Sequence, residues 1–153
     1  MGDKLKCISP VDNSIFAERT IADAKSIERT LQSLKKAQWA WRNTPVEERA
    51  GICRKAVAYF IQHANTIGEE LSWQMGRPIR YTPFEITRGF QERANYMIDI
   101  AKQALEDIDV EPIPGFQRFI RKEPLGTVFV LAPWNYPYLT SVNAIIPALM
   151  AGN

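Results

Sequence analysis

An asparagine follows an apolar segment in the stretch VFVLAPWNYP, residues 128–137. Residues 128–132 are apolar without interruption, and Trp134 and Asn135 follow between two prolines. The side-chain amide of Asn135 is a hydrogen-bond donor that carries no charge and does not titrate near pH 7. Such a donor can stabilise an oxyanion without acting as a base, and loss of one oxyanion donor typically lowers a rate by about 10²–10³. Spacing alone favours a simpler role, in which Asn135 is the N-cap of the next helix.

The apolar segment 128–132 predicts a strand that is covered on both faces, as in a parallel sheet. Residues 138–151 are mostly apolar and end at Gly152, which predicts a buried helix, so strand, loop and helix form the first half of a βαβ unit. Open α/β sheets bind ligands outside the carboxyl ends of their strands, where the Asn135 loop lies. A right-handed crossover places the neighbouring strand after the helix, beyond Asn153. We therefore expect the sequence to be the N-terminal piece of a longer protein.

Helical patterns dominate the sequence before residue 116. Asp23 predicts the N-cap of a first helix, whose apolar residues recur at helical spacing as far as Trp41. Residues 4–9 and 15–20 alternate weakly, which predicts an N-terminal hairpin. A short helix capped by Asn65 is predicted to end at Gly76. Residues 117–122 predict an exposed strand.

Two further helices are predicted by a repeated start signal. Thr44-Pro45-Val46-Glu47 and Thr82-Pro83-Phe84-Glu85 both combine an N-cap threonine, a proline at the first helical position and a glutamate at the third. This is the pattern of the reciprocal capping box, in which the threonine and glutamate side chains each accept from a backbone N–H. The second box predicts one long helix that continues to Leu105.

Charge and composition exclude several classes of partner. The formal net charge is +2, from 19 basic and 17 acidic side chains spread along the chain, so no basic patch points to nucleic acid or to an anionic membrane. No apolar run approaches the roughly 18 residues of a transmembrane helix, and the N-terminus lacks the apolar core of a signal peptide. We expect a cytoplasmic protein that binds neither nucleic acid nor membranes.

The two cysteines and the single histidine have structural interpretations. Cys7 and Cys53 are too few for a disulfide framework and lack the spacing of a metal or redox pair. Cys53 lies on an apolar helical face, as expected for a buried, unreactive thiol, and Cys7 lies in the proposed hairpin. His63 is placed near a helix C-terminus, where it can bond a free carbonyl. We predict no catalytic or metal-binding role for any of them.

The segment GTVFVLAPWNYPYLTSVNAIIPALMAGN resembles the corresponding part of aldehyde dehydrogenases, which combine a Gly-containing strand, PWN, an aromatic residue before proline, and a helix that closes in PAL-x-x-GN. AWRNTPVEERAGICRKA and MGRPI are similar to the helical N-terminal part of the same family. The resemblance extends over nearly the whole chain from Ile8. It is specific because several spaced elements agree.

The resemblance implies an α/β fold of three parts: a Rossmann-like cofactor domain, a catalytic domain and a small β oligomerisation domain. Residues 1–116 would be the mainly helical N-terminal part of the cofactor domain, residues 117–125 part of the oligomerisation region, and residues 126–153 the first βα unit of the parallel sheet. Such enzymes associate as dimers or tetramers, so we expect a homo-oligomer.

The resemblance also assigns the site. The amide of Asn135 would donate to the oxyanion of a thiohemiacetal formed from an aldehyde substrate, and the NAD or NADP site would be lined, partly through backbone atoms, by Leu131, Ala132, Pro133 and Trp134. The family's cysteine nucleophile and glutamate base belong to motifs beyond Asn153. We therefore expect these 153 residues alone to be inactive. The alternatives are a non-catalytic helical interaction or oligomerisation module, and a chain that binds cofactor without turnover.

Overall fold

Six α-helices, one π-helix and two small antiparallel sheets make up residues 3–153, the part of the chain that this computed structural model describes. The helices are α1 (Ala24–Trp41), α2 (Val46–Gln62), α3 (Ala64–Met75), α4 (Thr82–Phe84), the π-helix (Glu85–Phe90), α5 (Gln91–Leu105) and α6 (Pro137–Met150). The strands are β1 (Lys4–Ile8), β2 (Ile15–Thr20), β3 (Ile108–Asp109) and β4 (Phe119–Ile120). Among these residues no helix is long and apolar enough to cross a membrane.

The predicted N-terminal hairpin is confirmed and packs against α3. β1 and β2 are antiparallel, with a shift of register between Cys7 and Ile8. Beyond β1, the buried Ser9 hydroxyl donates to the Trp73 carbonyl at 2.6 Å. The ring of Phe16 stacks on Trp73 with centroids 6.5 Å apart. The hairpin is thus held on the helical layer by one buried hydrogen bond and one aromatic contact.

The hydrophobic core lies between α2, α3, the π-helix, α5 and α6. Ile86 and Ala94 are fully buried at its centre, with 0% exposure. Burial of apolar area stabilises the fold by about 25 cal/mol per Å², so this cluster is the main apolar contribution to stability. The buried apolar side chains are Cys53, Val57, Ala64, Ile67, Leu71, Ile86, Phe90, Ala94, Ile98, Ala101, Val142, Ile146 and Met150.

The first helix begins as predicted, since the Asp23 carboxylate accepts from the Ser26 N–H at 2.7 Å. No residue of α1 is buried. Its last turn is nevertheless attached to the end of α6, because the Gln38 amide donates to the Gly152 carbonyl at 2.9 Å and the Trp41 indole donates to the Leu149 carbonyl at 2.9 Å. The polar Gln38 within the apolar stripe therefore has a structural partner.

Neither predicted capping box forms. α2 has Pro45 at its N-cap, and the Thr44 hydroxyl bonds back to the Ala40 carbonyl at 3.4 Å. The Glu47 carboxylate pairs with Lys102 of α5 at 2.8 Å. This ion pair, together with a backbone hydrogen bond, keeps the pKa of the exposed Glu47 below its usual value. A cross-helix cation, and not the Thr44 N–H of a capping box, is therefore the main partner of this glutamate.

The helix predicted from Thr82 to Leu105 is interrupted, and the Asn65 cap is absent. The buried Thr82 hydroxyl donates to the Ile79 carbonyl at 3.2 Å, and six residues of π-helix separate α4 from α5. α3 begins at Ala64 with His63 at its N-cap, so Asn65 lies inside the helix. The end of α3 agrees with prediction, because Gly76 has the left-handed φ of 75° that terminates many helices.

Residues 128–132 do not form the predicted covered strand within residues 3–153. No ladder partner is present there, and Phe129 and Leu131 are 84% and 81% exposed. The Gly126 N–H donates to the Asn153 side chain at 2.9 Å, which fixes where the segment starts. Only Phe119–Ile120 of the predicted strand 117–122 is paired, with β3. α6 covers almost the whole of the helix predicted over residues 138–151.

Candidate functional site

The Asn135 loop, residues 133–136, ends where α6 begins at Pro137. Tyr136, and not Asn135, occupies the N-cap, and it provides no side-chain cap. Asn135 is exposed, and no hydrogen bond joins its side chain to another residue of 3–153. The interpretation of Asn135 as the N-cap is therefore wrong. Its amide is left free to bind something else.

The start of α6 is capped by a residue distant in sequence. Glu85, the first residue of the π-helix, accepts through Oε1 from the Tyr138 N–H at 2.8 Å and from the Leu139 N–H at 3.0 Å. Its side chain is 1% exposed. A carboxylate at a helix N-terminus satisfies unpaired donors and interacts favourably with the helix dipole. Glu85 thus does for α6 what the second capping box predicted it would do for its own helix.

Arg77 connects this cap to the Asn135 loop. Its Nη2 pairs with Glu85 Oε2 at 2.5 Å, and its Nη1 donates to the Asn135 carbonyl at 3.3 Å. The guanidinium also lies 4.8 Å from the centre of the Tyr136 ring, a cation–π contact. Arg77 is 14% exposed at its side chain. The guanidinium of Arg77 therefore joins the Glu85 cap to the C-terminal part of the loop.

A cleft of about 410 Å³ adjoins this arrangement and is lined by Arg77, Tyr81, Phe84, Glu85, Gly89, Tyr136 and Leu139. Gly89 allows the close approach of α6, because a Cβ there would lie 2.3 Å from Leu139 Cδ1. Behind the loop, burial raises the pKa of the Tyr138 hydroxyl, with smaller contributions from Glu70 and Glu85. Tyr138 is accordingly a neutral packing group, and its ring packs edge-on against Phe60 with the ring centroids 5.8 Å apart.

The four residues predicted to line the cofactor site lie in the exposed segment before Asn135. Leu131 and Trp134 are 81% and 79% exposed, Ala132 is exposed and Pro133 is half-buried. Their backbone has no ladder partner within residues 3–153, and two large apolar side chains, Leu131 and Trp134, are exposed.

The sequence predicted no role for Arg77, and it predicted that Glu85 caps its own helix, whereas Glu85 caps α6. One signal was present in the sequence: Glu85 directly precedes Ile86 and lies five residues before Phe90, so a helix that buries these apolar side chains brings Glu85 near the core. A carboxylate in such a position needs a cation or several N–H donors. Arg77, directly after the helix-ending Gly76, had no signal that identified its partner.

The cysteines and the histidine have the predicted structural environments. Cys53 is 2% exposed in the core, and burial raises the pKa of its thiol more than the nearby Arg49 lowers it. Cys7 is half-buried in β1. His63, at the end of α2, places Nδ1 2.8 Å from the Tyr59 carbonyl. Within residues 3–153 no cluster of three or more potential metal ligands occurs.

The difference between the two thiols is testable by titration with a chromogenic disulfide reagent at pH 8. We expect one fast equivalent from Cys7 in buffer and a second, from Cys53, only after unfolding in urea, because a buried thiol with a raised pKa yields little accessible thiolate. The Cys7→Ser variant should show no fast equivalent. Two fast equivalents from the folded chain would contradict the burial of Cys53.

The sequence of the chain is similar to those of known aldehyde dehydrogenases. The sequence model of the aldehyde dehydrogenase family matches residues 1–153. An aldehyde dehydrogenase of Deinococcus radiodurans is 32% identical over 150 residues, covering 95% of this chain and 28% of the relative. An NADP-dependent glyceraldehyde-3-phosphate dehydrogenase of Pisum sativum is 27% identical over 159 residues, covering 99% of this chain and 32% of the relative. The chain belongs to the aldehyde dehydrogenase family.

The fold agrees with solved structures of the family. The structure of 3,6-anhydro-L-galactose dehydrogenase in complex with NAP superposes with a TM-score of 0.89 at 28% identity, over 99% of this chain and 31% of that chain. The described mixture of helices and small sheets is thus part of a known fold. The chain spans about 30% of the length of the relatives it matches.

Proposed function

We propose that this chain supplies the N-terminal part of an NAD(P)-dependent aldehyde dehydrogenase. In the complete enzyme, a cysteine thiolate adds to the aldehyde carbon, and Asn135 donates its amide to the resulting oxyanion of the thiohemiacetal. Loss of hydride then gives a thioester, and water, activated by a glutamate, releases the carboxylic acid and restores the thiol. The observation that supports this role is that Asn135 is exposed and is not used as the N-cap of α6.

The cofactor belongs to the same proposal. NAD or NADP would supply the hydride acceptor, and Leu131, Ala132, Pro133 and Trp134 would contact it. The exposure of Leu131, Ala132 and Trp134 fits such a contact. The name of the pea relative and the ligand of the 3,6-anhydro-L-galactose dehydrogenase structure support the choice of a dinucleotide.

The proposed division of the chain follows the family. Residues 1–116 and 126–153 would belong to the cofactor-binding domain, in which residues 128–132 become the first strand of the Rossmann-like parallel sheet once a neighbour pairs with them. Residues 117–125 would contribute to an oligomerisation region, and the protein would be a cytoplasmic dimer or tetramer. The exposed edge formed by Phe119 and Ile120, at 41% and 56% exposure, supports a subunit contact there.

An absorbance assay at 340 nm tests the activity. We expect aldehyde-dependent formation of NADH or NADPH from a chain that covers the whole length of the family, and none from the 153 residues alone, because neither Cys7 nor Cys53 fits the nucleophile. Activity of the 153-residue chain would overturn the assignment of the nucleophile. Absence of turnover with both cofactors and a panel of aldehydes in the longer chain would overturn the proposed reaction.

A second candidate is a non-catalytic module that associates with a second copy of itself. A groove of about 380 Å³ between α1, residues 127–130 and α6 favours it, since it is lined largely by apolar side chains, among them Leu34, Trp41 and Ile145. Light scattering after size exclusion tests whether association depends on this groove, since the first candidate also predicts a subunit contact but places it at residues 117–125. A dimer of the 153-residue chain that dissociates on Leu34→Glu would support the module, and a monomer at all concentrations would exclude it.

A further inference from the structure

Residues 135–139 are held by two side chains that lie far away in sequence. Glu85 binds the first free N–H groups of α6, and Arg77 binds Glu85 and the Asn135 carbonyl. We propose that Arg77 and Glu85 are positioning residues, which fix the backbone from the Asn135 carbonyl to the first turn of α6 and keep the Asn135 side-chain amide free and correctly oriented. The structural part of this inference stands alone, and its catalytic consequence rests on the proposed function.

The first argument concerns which residue caps α6. The first N–H groups of a helix have no partner in the helix, and an asparagine just before the helix is a favoured acceptor for them. If Asn135 or its neighbour served as the cap, the side chain would be turned toward α6. Glu85 removes this competition by accepting from the Tyr138 and Leu139 N–H groups through one oxygen.

The second argument concerns rigidity. Glu85 is almost fully buried, and both of its oxygens are used, one by α6 and one by Arg77. The second guanidinium nitrogen reaches the Asn135 carbonyl, so the loop cannot rotate at Asn135 without breaking a bond to a buried ion pair. Removing one partner of such a pair leaves an uncompensated charge, which is far more costly than losing an exposed pair.

The third argument concerns the local backbone. Glu85 opens a π-helix, and such segments are rare and occur frequently at functional sites. The wider turn ends near Gly89, whose missing Cβ admits Leu139 of α6. The π-helix therefore places the Glu85 carboxylate and the space left by Gly89 at the same end of α6.

The test compares Glu85→Gln with Glu92→Gln, which removes the same charge at an exposed position of α5. A glutamine cannot accept at both places, because only one of its two terminal atoms is an acceptor. In the 153-residue chain we expect the Tyr138 and Leu139 amides to be protected from hydrogen exchange, unlike the first amides of most helices. Glu85→Gln should accelerate their exchange by about 10-fold to 100-fold, the range expected for hydrogen bonds to a charged group, while amides in α5 keep their rates.

Arg77→Lys provides a second variant that keeps the charge beside Glu85. A lysine cannot reproduce the fork that joins Glu85 to the Asn135 carbonyl. We expect protection of Tyr138 and Leu139 to persist in this variant. In the full-length enzyme, both Glu85→Gln and Arg77→Lys should lower kcat for aldehyde oxidation by about tenfold with an unchanged KM for the aldehyde, since orientation at the reacting centre is what is lost. Glu92→Gln should match the unchanged enzyme.

The outcomes separate the two claims. Equal acceleration of exchange throughout the chain, or none at Tyr138 and Leu139, would overturn the positioning role of Glu85. An active enzyme in which both variants keep the full kcat would overturn the catalytic consequence. A full-length enzyme without any turnover would defeat the proposed function, while the exchange rates would still decide whether Glu85 holds α6.

Discussion

Replacing Asn135 by alanine is expected to lower kcat for aldehyde oxidation by about 10²–10³ in the full-length enzyme. The variant loses the amide that we propose binds the developing oxyanion. The Asn135 side chain is exposed and makes no hydrogen bond to the rest of residues 3–153, so its removal should leave the fold intact. Thermal unfolding midpoints of the 153-residue chain and its variant should therefore agree. Steady-state kinetics over a range of aldehyde concentrations measures the effect.

The matched control for this prediction is Asn143→Ala. Asn143 is an exposed asparagine of α6 whose amide donates to the Leu139 carbonyl within the same helix at 3.1 Å. The Asn143→Ala variant should keep the kcat of the enzyme without substitutions. A full kcat in Asn135→Ala would show that this amide does not bind the oxyanion. A large drop in the unfolding midpoint would show instead that Asn135 has a structural role.

Several helix boundaries could be predicted because their causes are local. The Asp23 carboxylate caps the helix that starts at the next residue, and Gly76 ends α3 in the left-handed conformation. Both depend only on residues within a few positions of the boundary. The helix predicted over residues 138–151 was also correct, since a long apolar run that ends in glycine has few alternatives.

Where the sequence prediction failed, a distant partner had replaced a local one. Glu47 binds Lys102, and Glu85 binds Arg77 and two N–H groups of α6, in place of the N–H groups at the starts of their own helices. A capping-box pattern contains no information about cations on other helices. The same limit applies to residues 128–132: their composition is typical of a covered strand, but a strand forms only when another pairs with it.

The candidate site was predictable in one half only. The resemblance to a family singled out the Asn135 amide as an oxyanion donor, a role that stays a prediction, whereas residue type and spacing alone favoured an N-cap. The residues that hold the loop were not identified, since Arg77 and Glu85 lie 58 and 53 positions before the groups they bind. Hydrogen bonds over such separations are set by packing of the helices, above all by the close contact of the π-helix with α6.

That contact leads to the second prediction with a large effect, Ile86→Ala. Ile86 has 0% exposure, lies in the π-helix next to Glu85 and belongs to the core cluster that α6 completes. Removing buried methyl and methylene groups there should lower the free energy of unfolding by about 2–5 kcal/mol, because both transfer free energy and packing contacts are lost. The free energy of unfolding of small domains is only about 5–15 kcal/mol, so this loss is a large share of the total.

Urea denaturation of the 153-residue chain measures this effect, with Ile52→Ala as the matched control. Ile52 undergoes the same chemical change in α2 but is 45% exposed, so we expect a change within about 1 kcal/mol. Equal losses in the two variants would mean that the π-helix is not packed against α6 as described. If Ile86→Ala is the more damaging, faster exchange of the Tyr138 and Leu139 amides should accompany it, because the π-helix that carries Glu85 has lost part of its core packing.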